Sequence, residues 1–413
     1  MSSTELDEVV PGAVEITPQQ LVEEIADPLG HLSAEQVENI YKRYLGGEKT
    51  SDLINEFGIN TNTNSLMKLL PPLERTDLTC PYCSAHGTQR RAARNKPANR
   101  PTCTRCDHIF PMFREDVCGC RGCKSEYLSQ INGEGMRHRI AYDQLTLREK
   151  ILLLAALTMA GPADVTCFSF AQLQRWHRRL APTPEYQNQC ISELFSRHII
   201  LVSADTSSDA LDFYRRYDRH DFLWWTPNVS AADSNDVGLD VQSLQMLIVY
   251  DLERNKAELE SVLTELIYEL AEEDLVEYLR YRVENAAVVF KAERATREVL
   301  RPLLASSSIS NIFSFIWKAV KQADNSLEKG TVKGATHAGN RIPSVIVRAA
   351  EAEKQNAYER SKQSRICQVS EVIYNLILDD PDGSFKVPLP RYTAEVMRPV
   401  LEGISSAKDA KFA

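Results

Sequence analysis

Between Cys80 and Cys123 the chain places seven of its ten cysteines. They read C-P-Y-C, nineteen residues, C-T-R-C, eleven residues, then C-G-C-R-G-C. Two Cys-x2-Cys pairs so spaced offer four thiolates, the donor set of one tetrahedral zinc ion. A segment this short buries little apolar surface, so the metal itself supplies folding free energy. Cys80, Cys83, Cys103 and Cys106 are the first expected ligand set. His108 with Cys118, Cys120 and Cys123 brings the donors to eight, enough for a second ion; His86 is the substitute eighth donor. Spacing alone leaves open whether the ligands pair in sequence or interleave. The expected cofactor is therefore one Zn2+, and two if the second group also binds. A thiolate-rich shell argues for closed structural sites, since catalytic zinc keeps an open position. Cys167, Cys190 and Cys367 stand alone and read as small buried apolar residues.

The 413-residue chain is long enough for several domains, and its net charge is -9. That balance excludes a general polyanion binder and confines any nucleic-acid contact to a local patch. One patch stands out. From Ala85 to Arg105 there is no acidic residue, while Arg90, Arg91, Arg94, Lys96, Arg100 and Arg105 all fall there. Arg114, Arg121 and Lys124 extend it. Held on a zinc scaffold, this loop is expected to contact phosphates with salt-dependent affinity. The competing expectation is that these arginines pair with acidic surfaces of the same protein.

Segments 80–123 resemble a zinc ribbon or zinc knuckle, within an expected module over 75–131. Before it, residues 1–31 form an acidic arm with one short helix, Pro18 to Ala26. In 32–72, Ser33 and Gln36 make a capping-box pattern ahead of Val37, Ile40, Tyr41 and Tyr44. Ser51 to Phe57 reads as a second helix, and a third starts near Asn62 or Thr63 and stops at Pro71-Pro72. Residues 32–70 thus resemble a helix-turn-helix. That resemblance implies Asn62, Thr63, Asn64, Ser65 and Lys68 near bases, although Lys68 is the helix's one cation.

In 140–230, helices are expected over Leu145–Met159, Phe168–Leu180 and Glu185–Arg197, followed by strands Ile199–Ser203 and Phe222–Thr226. Helices followed by a short β-hairpin make 145–228 resemble a winged helix. The resemblance implies a third helix that reads DNA through Gln187, Asn188, Gln189 and Arg197, with Arg175, His177, Arg178 and Arg179 before it. Trp176, Trp224 and Trp225 read as packing groups. Residues 238–330 form a helical assembly region. Its stripe of Leu259, Val262, Leu263, Leu266, Ile267 and Leu270 is either a face of an ordinary bundle or a surface for a second copy or partner. Glu272-Glu273-Asp274 reads as a charge run rather than a metal site. Gly330 to Asn340 reads as a loop without the G-x4-G-K-[ST] arrangement of a nucleotide site. Residues 341–413 form a C-terminal helical region, with a helix over Ser344–Arg365 and an apolar stretch from Val369 to Leu378.

The fold class that follows is mainly α and multidomain. The function that follows is a zinc-containing nucleic-acid-binding protein, directed at duplex DNA and assembling through the 239–301 helices as a homodimer or within a complex. The alternatives are a non-catalytic interaction scaffold and a nuclease or transposition component. No catalytic residues are assigned, and no enzyme activity is expected. The longest apolar run, Ile151 to Ala160, is too short to cross a bilayer. Together with clustered cysteines and no secretion signal, it points to no membrane partner and a reducing, cytoplasmic setting.

Overall fold

The computed structural model describes residues 27–112, 118–159, 166–170, 179–220, 222–231, 238–352 and 367–403. The expected helix Pro18–Ala26, and residues Phe113, Arg114, Arg175, Trp176, His177 and Arg178, lie outside them. The chain is mainly helical and divides into two compact units, Met1–Cys123 and Lys124–Ala413.

Unit 1 starts with helix α1 (Ala34–Leu45). Its capping box is formed: the Gln36 N–H donates to Ser33 Oγ at 3.2 Å, and the Ser33 N–H donates to Gln36 Oε1 at 2.7 Å. Helix α2 (Thr50–Glu56) follows. Val37, Ile40, Leu53, Ile54, Ile59, Leu66 and Leu70 close a small core. The expected third helix is a single turn, α3 (Leu66–Leu69). Asn62 to Ser65 form a turn, with the Ser65 N–H donating to the Asn62 carbonyl. One turn is about 6 Å long, too short for the reading element of a helix-turn-helix. Strand β1 (Leu73–Thr79) then pairs with β2 (His86–Gln89), and β2 with β3 (Thr102–Cys103), all antiparallel.

Unit 2 begins with helix α4 (Arg121–Asn132), whose first turn still belongs to unit 1. A short strand β4 (Ile140–Ala141) leads to helix α5 (Leu147–Thr158), which has a Thr146–Glu149 capping box and is buried over most of its length. Phe168–Ser169, expected as helix, is instead strand β5. It pairs with Trp224 and Trp225, a tertiary contact that local periodicity cannot register. Helix α6 (Pro184–Ser196) and strand β6 (Ile200–Val202) follow. Helix α7 (Ser208–Tyr217) comes next, then strand β7 (Trp224–Pro227), which lies between β5 and β6. Sequence reading missed α7 and β5 as separate elements. Trp225 is fully buried, a packing group as expected. Strand β8 (Val229–Ser230) pairs in parallel with β4.

Helices α8 (Val241–Arg254), α9 (Glu260–Glu284), α10 (Glu293–Leu303) and α11 (Ile309–Glu328) extend the large core, to which the later segments also contribute. Leu259, Leu263, Leu266, Ile267 and Leu270 are all within 2% of complete burial. The chain's own core thus covers the apolar stripe, leaving it unavailable to a second copy. Tyr278 of α9 stacks on Phe313 of α11 at 4.1 Å between ring centroids. The expected loop Gly330–Asn340 contains a short helix, α12 (Ala335–Asn340). A Cβ on Gly339 would lie 2.2 Å from the Val289 carbonyl oxygen, so only glycine fits this approach. Helix α13 (Ile342–Ala352) follows. Of the expected apolar stretch, Val369 to Ile377 is helical, with a π-type stretch at Glu371–Ile377, and Leu378 follows its end. Among the described residues no helix is long and apolar enough to cross a membrane.

Candidate metal centres

The three-stranded sheet of unit 1 explains why the first four cysteines meet. The turn Cys80–Cys83 links β1 to β2, and Cys103 sits on β3 opposite Gly87 of β2. Strand pairing therefore sets the second Cys-x2-Cys turn beside the first. The two turns share one backbone design. The Cys80 N–H donates to the Ala85 carbonyl at 2.9 Å, and the Cys103 N–H to the His108 carbonyl at 2.7 Å. Each bond spans five residues. In each turn the residue after the second cysteine has a left-handed backbone, Ser84 at φ 57° and Asp107 at φ 55°.

Sulfur separations are 3.4 Å for Cys80–Cys106, 3.3 Å for Cys83–Cys103 and 3.5 Å for Cys83–Cys106. Zinc–thiolate bonds of about 2.3 Å place tetrahedral sulfurs about 3.8 Å apart, close to this geometry. The sulfurs are too far apart for disulfides, and all ten cysteines are free thiols. Cys80 and Cys103 are buried.

The second centre collects His108, Cys118, Cys120 and Cys123, all ligand atoms within 4.8 Å of one another. His108 Nδ1 lies 3.3 Å from Cys123 Sγ and 3.6 Å from Cys120 Sγ. Backbone N–H groups of Ile109 and Cys120 donate to Cys118 Sγ at 3.1 and 3.4 Å, favouring a thiolate there. The His108 ring is buried and met edge-on by Tyr82 at 5.3 Å and Phe110 at 5.1 Å. Burial holds its imidazole below the usual pKa, in the neutral form that ligates metal. Tyr82 in turn packs on Gly122, where an added Cβ would lie 2.4 Å from the ring. Tyr82 thus belongs to the first cysteine turn by sequence and to the second centre by packing.

The ligands therefore pair in sequence: Cys80, Cys83, Cys103 and Cys106 form one set, and His108, Cys118, Cys120 and Cys123 the other. His86 belongs to neither. Both sets fit zinc, so the chain has two such sites. Proton competition within each set points the same way. Burial opposes the Cys103 thiolate, but N–H donors from Arg105 and Cys106 and the neighbouring thiols outweigh it and bring its pKa to about 6. Cys106 accepts a backbone hydrogen bond from His108, yet burial and its three thiol neighbours push it to about 12. Burial and its neighbours likewise push Cys123 up to about 12. Four adjacent thiols cannot all ionise alone; a divalent cation lets them.

The left-handed residues give a first expected result. Left-handed backbone costs a side-chain-bearing residue about 1–2 kcal/mol, and glycine avoids the cost. Ser84→Gly should stabilise zinc-loaded unit 1 by about 1 kcal/mol, read as a higher midpoint in urea. Asp107→Gly should gain less, because Asp tolerates this region better.

The cationic residues divide. The Arg91 side chain is 7% exposed: its Nη1 donates to Glu38 at 2.8 Å, its Nε to the Pro71 carbonyl at 2.9 Å, and it lies 4.7 Å from the Tyr41 ring. Arg94 donates from Nη2 to the carbonyls of Tyr44 and Glu48 at 2.5 and 2.8 Å and lies 4.8 Å from the Tyr44 ring. Both tie the loop to α1. Arg90, Lys96, Arg100 and Arg105 are exposed, as are Asn62, Asn64 and Lys68. The α6 residues expected to read DNA divide. Gln187 is buried and accepts from the Leu180 N–H at 3.1 Å, and Asn188 is half-buried. Arg197 pairs with Glu149 at 3.0 Å, while Gln189 is exposed. Arg179, described as the neighbour of those helices, pairs with Glu277 at 2.8 Å. No protein-family model, curated protein or solved structure matches the chain.

Proposed function

We propose that this is a non-catalytic zinc protein that binds the phosphate backbone of nucleic acid, duplex DNA first, through the loop held between the two cysteine turns of its first metal centre. The observation that carries this reading is the division among the loop arginines. Arg91 and Arg94 tie the loop to α1, and Arg90 and Arg105 are exposed on the same segment. Anchoring lowers the entropy cost of presenting the other cations. Each centre has four protein ligands, which favours a structural role over an open catalytic one. Backbone contact is favoured over base reading, because α3 is one turn and α6 turns its Gln187 inward. The order α5, β5, α6, β6, α7, β7, with β7 antiparallel to both β5 and β6, supports a winged-helix-like reading of 145–228 in which α7 joins the two later strands. That same inward turn of α6 favours the second reading, an interaction scaffold.

Binding to a random 30-base-pair duplex across a salt series separates the two. Wild-type protein should bind with an affinity that falls steeply as salt rises. Replacing Arg90 and Arg105 by Gln should lower the magnitude of the log–log salt slope by about 2. Absence of binding at low salt would remove the nucleic-acid reading and leave the scaffold. Binding unaffected by the double change would move the contact off the loop.

A further inference from the structure

A polar cleft of about 550 Å³ opens in unit 1 beside this loop, lined among others by Lys49, Thr50, Ser51, Thr63, Arg94 and Lys96. Its charge balance is unusual for an acidic protein. Lys49, Arg94 and Lys96 bring three cations. The one acid in its wall, Glu48, is paired at 2.5 Å with Arg43, which Glu56 shares at 2.6 Å. The Arg94 guanidinium donates to the backbone carbonyls of Tyr44 and Glu48, which orient it without cancelling its charge. Hydroxyls of Thr50 and Thr63 add neutral donors of the kind that commonly accompany arginine and lysine at phosphates, while the Ser51 hydroxyl donates to Asp52 at 3.1 Å.

We infer that this cleft is a phosphate site through which the nucleic-acid backbone passes, between the α1–α2 turn and the cationic loop. The inference rests on the reading given under Proposed function and names where a strand would lie. Two phosphates are engaged, one by Lys49 and one by Lys96, and Arg94 supplies field to both. Sequence reading had no route to Lys49. It stands more than thirty residues from the zinc segment, and only folding brings it into one cleft with Lys96.

The test compares full-length zinc-loaded wild type, Lys49→Gln/Lys96→Gln and a control, Lys329→Gln/Lys333→Gln, on the same random duplex across salt. All four lysines are exposed, so the substitutions remove charge rather than core contacts. Zinc content and urea midpoint verify that each variant is folded. The K49Q/K96Q protein should bind roughly tenfold more weakly at low salt, with a slope about 2 smaller in magnitude, and the control should match wild type. Wild-type binding with an unchanged K49Q/K96Q slope would overturn the cleft while leaving the loop reading in place. Failure of wild type to bind any duplex would overturn both. Calorimetry with inorganic pyrophosphate closes the remaining arm. A heat present in wild type, absent in K49Q/K96Q and unaccompanied by duplex binding would put a small phosphate compound in the cleft and overturn the nucleic-acid source.

Discussion

Cys80→Ser/Cys103→Ser protein is expected to carry one zinc ion per chain where wild type carries two. Both cysteines belong to the first ligand set, so the double change removes one site and leaves His108, Cys118, Cys120 and Cys123 intact. Interleaved pairing would put the two cysteines in different sites and abolish both. The complementary Cys118→Ser/Cys120→Ser protein should also keep one ion, held by the sheet that aligns the two cysteine turns. Metal analysis of gel-filtered protein gives the count. The stability consequence is large, because structural zinc contributes apparent binding free energies of about 10–16 kcal/mol in small peptides. Unit 1 has little to replace it: around the first centre the buried apolar set is Cys80, Cys103 and Phe110. Unit 2 has its own extensive core and should keep its urea transition in both variants. A Cys80→Ser/Cys103→Ser protein that still holds two ions would remove the assignment of the first site.

Much of that assignment is legible in the residues themselves. Cys-x2-Cys spacing states metal chemistry whatever the surroundings, and Ser33 with Gln36 forms a local device that needs no tertiary help. The pairing of ligands is different in kind. It depends on β2 and β3 lying side by side and on Tyr82 reaching the His108 ring, neither of which follows from spacing. The arginines teach a similar lesson. The run from Arg90 to Arg105 reads as one patch, yet Arg91 and Arg94 meet the aromatic rings and carbonyls of α1 about fifty residues earlier. Helical periodicity likewise gave the Leu259–Leu270 stripe correctly but could not say what covers it. Phe168 and Ser169 show the opposite failure, because two residues of edge pairing leave no periodic signal at all.

Glu273→Ala should cost unit 2 about 3–5 kcal/mol, in a charge run that reads from sequence as a solvated face. The Glu273 side chain is 11% exposed and holds the Arg297 guanidinium with both carboxylate oxygens. It also accepts from the fully buried Thr183 hydroxyl, which caps α6 through the Tyr186 N–H at 3.2 Å. Burial alone would lower the Arg297 pKa, and Glu273 first, then Glu293 and Glu272, raises it; the guanidinium stays charged when Glu273 is removed because arginine's own pKa lies far above neutral. The change therefore leaves a partly buried cation short of its principal partner and unseats a helix cap together. Arg301→Ala is the control. Its pair with Glu272 spans 3.5 Å and its side chain is 64% exposed, so solvent screens the interaction and the loss should stay below about 1 kcal/mol. Urea unfolding followed by helix signal measures both. Similar small losses would mean that Glu273 behaves as the surface acid its sequence neighbours suggest. A large loss confined to Glu273→Ala would establish that one position in a run of three acids is a structural keystone between α6, α9 and α10, selected by the direction its side chain takes from the helix.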